Sequence, residues 1–242
     1  MLLHGLAASP RQFAAFGRLL FERGHNVLVL RLPRHGHADR LTDEMSALTA
    51  PELAAFGAEA ARHGRTLGER TIVVGFSVGG LVASFIAQHE AIDRVVAIAP
   101  FFGLSWLPPP LSPHAARLAL QLPNAFLWWN PLVRERLEPA HGYPRYATHA
   151  VAQAYRLSRE IFAEAEAAPP RAGKIVLVVN AREHTVNNGA VERLAERWTR
   201  TRPGDVELYR LRGLPISHDI IEPARAALVR RVYPELLALV DR

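Results

Sequence analysis

Cysteine is absent from this 242-residue chain. Its absence excludes disulfides, thiolate metal sites and a cysteine nucleophile together. Lysine is almost absent too: Lys174 stands alone, so the net charge of +6 rests on arginine. No arginine run exceeds Arg230-Arg231, and scattered arginines do not make the basic stripe that marks a nucleic-acid surface. A nucleic-acid partner is therefore not expected. No segment approaches the ~18 to 20 apolar residues of a membrane span, so an integral membrane span is not expected either. The opening Met1-Leu2-Leu3-His4-Gly5 lacks the basic n-region of a secretory signal, and the expected location is the cytoplasm.

Apolar residues at 49% and charged residues at 21% suit a folded domain. The length fits one domain over residues 1–242 with a substantial core. Short β-branched runs read as buried parallel strands: Asn26 to Leu32, Thr71 to Gly75, Arg94 to Ala99, Lys174 to Val179 and Val206 to Leu211. Amphipathic stretches lie between them at Pro10 to Arg23, Pro51 to Arg65, Leu81 to His89, Ala190 to Arg200 and Pro223 to Val240. Such alternation predicts an α/β fold with a mostly parallel sheet and helices on both faces. Residues 102–170 break it. That stretch shows helical pieces and Pro108-Pro109-Pro110 but no convincing strand, and it reads as a helical insertion between two strands.

The strongest chemical signal is Gly75-Phe76-Ser77-Val78-Gly79, followed by Gly80. It lies directly after one predicted strand and directly before a helix. A tight turn there lifts the Ser77 hydroxyl to the C-terminal edge of the sheet, at a helix N-terminus that favours developing negative charge. Ser77 is the candidate nucleophile. At the start of the chain, Leu2-Leu3-His4-Gly5-Leu6 reads as a strand end and a sharp turn, which can aim the N–H of Leu6 at a reacting carbonyl oxygen. The N–H of Val78 supplies a second donor. Two such donors form an oxyanion hole.

A hydroxyl is a poor nucleophile at neutral pH and needs a base, most often histidine. His218, in Ile216-Ser217-His218-Asp219, is the only histidine after the last predicted strand. The base needs a carboxylate to hold its tautomer. Glu183 is the only carboxylate in the loop Asn180 to Val186 that follows the strand at Lys174; Asp205 and Glu222 are the competing acids. The order Ser, Glu, His along the chain is the order of one hydrolase fold and not that of chymotrypsin or subtilisin.

These pieces, LLHGLAASPRQF, LPRHGH, GFSVGG, NAREHTV and ISHD, span nearly the whole chain in order. The chain resembles the α/β-hydrolase family, in its bacterial carboxylesterase and monoacylglycerol-lipase-like branch. The resemblance implies an α/β-hydrolase fold with a helical lid at residues 102–170. It implies a small-molecule ester substrate, an acyl-serine intermediate and no cofactor. Two departures stand out: the family more often has Asp where Glu183 stands, and it usually has further strands ahead of the His-Gly turn. With only Met1 to Leu3 preceding it, that turn is expected to be poorly anchored.

Arg34-His35-Gly36-His37 invites a metal reading, but no clustered carboxylates or His-Glu-x-x-His helix accompany it, and no metal is expected. Trp106, Trp128 and Trp129 are candidates for an acyl pocket, since ligand sites are mostly apolar. Two other readings share these residues: a C–C bond hydrolase or acyltransferase with the same triad, and a truncated non-catalytic relative. Dehalogenase and epoxide hydrolase chemistry uses Asp where Ser77 stands.

Overall fold

The computed structural model describes residues 1–137 and 141–242. Six strands form one parallel sheet in the order β2-β1-β3-β4-β7-β8. They are β1 (Leu2–Leu3), β2 (Val29–Leu30), β3 (Ile72–Phe76), β4 (Arg94–Ile98), β7 (Lys174–Asn180) and β8 (Val206–Leu211). The predicted strand at Asn26 to Leu32 shrinks to two residues, because as the sheet's edge it pairs only with the two-residue β1.

The step from β1 to β2 runs toward one edge, and every later step in this sheet runs toward the other. Right-handed crossovers then put α1 (Ala14–Glu22) on one face, and α2 (Ala50–Gly64), α3 (Val78–His89) and α6 (Asn188–Thr201) on the opposite face. The C-terminal α7 (Ala226–Asp241) joins α1, where Phe16 and Tyr233 meet edge to face at 5.2 Å. Helix α3 buries ten of its twelve residues, so it has no wet face and forms the rigid centre of the molecule.

β1 corrects the expectation of a poorly anchored turn. It lies inside the sheet, with Leu2 paired to Val29 on one side and to Val74 on the other. Both leucines are fully buried. Two residues suffice because the neighbours on each side are already ordered.

Between β4 and β7 the chain leaves the sheet. It forms α4 (Ser112–Gln121) and α5 (Thr148–Ala167), and α5 packs on α2, α3 and α6. Besides these helices the insertion holds an antiparallel ribbon, β5 (Phe126–Trp128) with β6 (Arg145–Ala147). No strand was expected in residues 102–170. Each ribbon strand has three residues, too few for a period of two to register, and cross-strand ring and cation contacts hold the pair. The Arg145 guanidinium lies 4.2 Å over the Phe126 ring, and the Trp129 and Tyr146 rings meet at 4.3 Å, tilted by 37°. Residues 138–140 of the insertion lie outside the described residues.

Candidate active site

Four parallel strands end at the same edge of the sheet, and each delivers one part of the site. Ser77 follows β3 directly and caps α3 with φ 55° and ψ −115°. A side chain at positive φ is strained. It persists here because both flanks are locked: a Cβ on Gly75 would sit 2.1 Å from the Gly79 carbonyl oxygen, and one on Gly79 would sit 2.1 Å from that of Leu3. Only glycine permits strand, helix and the β1 end to come so close. The Ser77 N–H is tied to Ile98 O at 3.0 Å, and its carbonyl accepts from Leu81 and Phe101.

The imidazole of His218 stands between hydroxyl and carboxylate. Its Nε2 lies 2.9 Å from Ser77 Oγ and its Nδ1 3.0 Å from Glu183 Oε2. The other carboxylate oxygen of Glu183 accepts from the N–H groups of His184 at 2.9 Å and Thr185 at 2.7 Å. The Glu183 carboxyl is fully enclosed. Burial pushes its pKa up, but the hydrogen bond and charge of His218 and the two N–H donors outweigh burial and hold it below the usual carboxylate range. The carboxylate therefore stays ionised and accepts the Nδ1–H, which leaves Nε2 free to take a proton from Ser77. The competing acids are engaged elsewhere: Asp205 with Lys174 and Arg202, and Glu222 with His141.

The chain's first turn abuts the nucleophile, since a Cβ on Gly5 would lie 3.4 Å from that of Ser77. Among the described residues the N–H groups of Leu6 and Val78 have no hydrogen-bond partner. These are the two N–H groups that the sequence offers as candidate oxyanion donors.

Nothing in the sequence marked Asn180. It is fully buried at the end of β7, and its side-chain nitrogen donates to Ser217 O at 2.9 Å and Pro215 O at 3.3 Å. Its side-chain oxygen accepts from the N–H of Arg182. One amide thus ties the Glu183 loop to the His218 loop. Asn180→Ala is expected to destabilise the protein by about 1 to 3 kcal/mol, since it strands buried backbone groups. A urea midpoint unchanged from wild type would show that this amide holds nothing.

Two further histidines of the motifs, His4 and His35, bind the backbone through both ring nitrogens. His4 Nε2 accepts from Leu32 N at 3.1 Å, and His35 Nε2 accepts from Ala7 N at 3.0 Å. Their Nδ1 atoms donate to Gly5 O and Pro33 O, so both rings are spoken for. Burial lowers the pKa of His4 to about 3 and that of His35 to about 4. In the unfolded chain both sit near 6.5. Between pH 6.5 and about 4 the unfolded state therefore binds protons that the folded state refuses, and stability falls as pH falls. The expected slope is up to ~1.4 kcal/mol per pH unit for each histidine. Urea midpoints should drop steeply between pH 6 and about pH 4; a midpoint that stays level down to pH 5 would mean that neither ring is held neutral.

Among the described residues no hydrogen bond or ring contact joins Trp106, Trp128 or Trp129 to Ser77, Glu183 or His218. Trp106 is 70% exposed. Trp128 lies under Arg134 at 5.7 Å, and Trp129 packs on Tyr146, both in the ribbon region of the insertion. Among the described residues no group of three or more His, Asp or Glu is placed to hold a metal ion, and no helix is long and apolar enough to cross a membrane.

No curated protein sequence matches the chain. Solved structures do. A monoacylglycerol lipase from Paleococcus ferrophilus is 20% identical, with a TM-score of 0.69 over 98% of this chain and 93% of that one. A metagenome-derived lipolytic enzyme is 17% identical, with a TM-score of 0.69 over 100% and 92%. A soluble variant of monoglyceride lipase from Saccharomyces cerevisiae, solved with a substrate analogue, is 16% identical, with a TM-score of 0.65 over 99% and 84%. At these identities the likeness speaks for the fold. The family itself is established by a model of the alpha/beta hydrolase family that matches residues 1–229. The chain belongs to the alpha/beta hydrolase family.

Proposed function

We propose that the protein is a serine hydrolase that cleaves carboxylic esters of medium-chain or monoacylglycerol type, with Ser77 as nucleophile, His218 as base and Glu183 as the acid that orients it. The observation that carries this reading is the unbroken hydrogen-bonded relay from Glu183 through His218 to Ser77 Oγ. The lipolytic neighbours of the fold support the substrate class.

In the reaction Ser77 Oγ attacks the ester carbonyl carbon while His218 Nε2 takes its proton. The N–H groups of Leu6 and Val78 stabilise the oxyanion. His218 then protonates the leaving alcohol as the C–O bond breaks, giving an acyl-serine. Water attacks the acyl carbon with His218 again as base, and the proton returns to Ser77 as the carboxylic acid leaves. Residues 102–170 would form the lid over this edge of a single domain.

Hydrolysis of p-nitrophenyl esters from C2 to C12 tests the reading. Turnover should peak at intermediate chain length, and an alkyl fluorophosphonate should add once, to Ser77. A folded protein that neither hydrolyses any member of the series nor takes the label would overturn it.

A further inference from the structure

The turn that carries Leu6 is held by side chains from elsewhere, and a count of its polar groups shows how. Gly5 N donates to Gln12 Oε1 at 2.9 Å. Gly5 O accepts from His4 Nδ1 at 2.8 Å and from Ala8 N at 3.3 Å. Ala7 N donates to His35 Nε2 at 3.0 Å, and Ala7 O accepts from Tyr143 N at 2.7 Å. Between Gly5 and Ala8 the N–H of Leu6 alone keeps no partner. We infer that Gln12 and His35 are positioning residues for ester cleavage: each captures the N–H on one side of Leu6, and together they leave the Leu6 N–H as the only donor of the turn free for an oxyanion.

Three observations support a positioning role beyond plain packing. First, the turn cannot hold itself: Ala7 sits at φ 57°, a conformation that strains a residue with a side chain. Without an acceptor fixed in place, Ala7 would relax toward negative φ and swing the Leu6 peptide. Second, both acceptors are themselves fixed. Gln12 is 5% exposed, in the 3₁₀ turn Pro10–Phe13 that opens α1. His35 is 2% exposed, and its Nδ1–H is committed to Pro33 O at 2.7 Å, which makes Nε2 an acceptor and nothing else. Third, the hold crosses the molecule. His35 comes from the loop after β2 and packs on the ring of Tyr143 at 5.6 Å, and the N–H of His37 donates to the Tyr143 hydroxyl at 2.9 Å. Tyr143 belongs to the insertion, so the insertion, the β2 loop and the 3₁₀ turn before α1 converge on one turn. Displacement of a catalytic group by about 1 Å costs up to ~10²-fold in rate, so that convergence has a kinetic consequence.

The inference rests on the ester-hydrolase reading, and its test separates the two. Gln12→Met keeps length and volume without the acceptor; His35→Leu removes the other acceptor, and His35→Gln restores one. On a p-nitrophenyl ester, Gln12→Met and His35→Leu should each lower kcat by ~10- to 10²-fold, with KM within about twofold and His35→Gln recovering most of the loss. Affinity for a trifluoromethyl ketone, which places an oxyanion in the hole, should fall by the same factor as kcat; a merely structural defect would lower the amount of folded enzyme and leave that affinity unchanged. Amide exchange in the wild-type protein needs neither a stable variant nor turnover. There the Gly5 and Ala7 N–H groups should exchange at least ~10²-fold more slowly than that of Leu6. If the wild type turns over and dies with Ser77→Ala while both variants keep kcat within twofold, the inference fails and the hydrolase reading stands. If the wild type hydrolyses no ester, the reading fails, and the exchange pattern alone decides the turn: equal protection at Gly5, Leu6 and Ala7 overturns the inference, and protection at only the outer two upholds the geometry.

Discussion

Ser77→Ala is expected to lower kcat on a p-nitrophenyl ester by ~10⁴- to 10⁶-fold while KM changes little. In the proposed mechanism Oγ forms the acyl bond, and the alternative attack by water lacks both the fixed position and the charge placement of Oγ. Residual turnover would come from the Leu6 and Val78 donors and from binding alone. Stability should scarcely move, because alanine keeps a Cβ at φ 55° and so keeps the strain. Ser77→Gly separates the two effects. It should lose activity to the same degree, yet gain about 1 to 2 kcal/mol in a urea melt, because glycine adopts this backbone freely. The pair of variants reads strain and chemistry at one position. Retention of more than about a hundredth of kcat in Ser77→Ala would assign the nucleophile elsewhere. A Ser77→Gly protein no more stable than Ser77→Ala would show that the surrounding glycines relieve the strain that the backbone angle implies.

What the sequence made legible was local. Gly75 to Gly80 announces itself because the chemistry of a strand-to-helix turn is written in consecutive residues. His218 was legible by elimination, from its place after the last strand, and Glu183 by being the lone acid of its loop; the structure brings both into a hydrogen-bonded line with Ser77. What stayed hidden acts across the chain. Asn180 reaches a loop 37 residues away, and His35 reaches a peptide 28 residues back. In the sequence Asn180 only opens the loop of Glu183, and His35 stands in a motif that suggests a metal rather than a partner for the first turn. The turn at Gly5 was expected to be loose because so little chain precedes it in the sequence. It is firm because β2 and β3 flank it in space, a fact of topology that no window around Met1 contains. The ribbon in the insertion was missed for a related reason: its strands pair over a separation of up to 21 positions, Phe126 to Ala147, through rings and a guanidinium, not through alternation.

Glu183→Gln should reduce kcat by ~10³- to 10⁴-fold. The argument turns on which proton the imidazole carries. A carboxylate can only accept at Nδ1, which keeps the proton on Nδ1 and leaves the lone pair on Nε2, facing Ser77 Oγ at 2.9 Å. An amide can present its NH₂ group to Nδ1 and reverse the tautomer, and Nε2 then donates where it has to accept. The charge is lost as well, so the imidazolium formed during attack has no counter-ion. Glu183→Asp tests the reach. Glu183 Oε1 is held by the N–H groups of His184 and Thr185 while Oε2 spans 3.0 Å to His218. An aspartate, one methylene shorter, satisfies both ends only if the loop moves, and Ser105 opposes that movement: its hydroxyl and its N–H donate to the carbonyls of His184 and Thr185. The expected loss for Glu183→Asp is ~10- to 10²-fold, and Glu183→Asp combined with Ser105→Ala, which frees the loop from the hydroxyl bond, should regain part of it. If Glu183→Gln keeps a tenth or more of kcat, the relay does not depend on this acid, and the observed hydrogen bond to Nδ1 is an arrangement of the resting protein only.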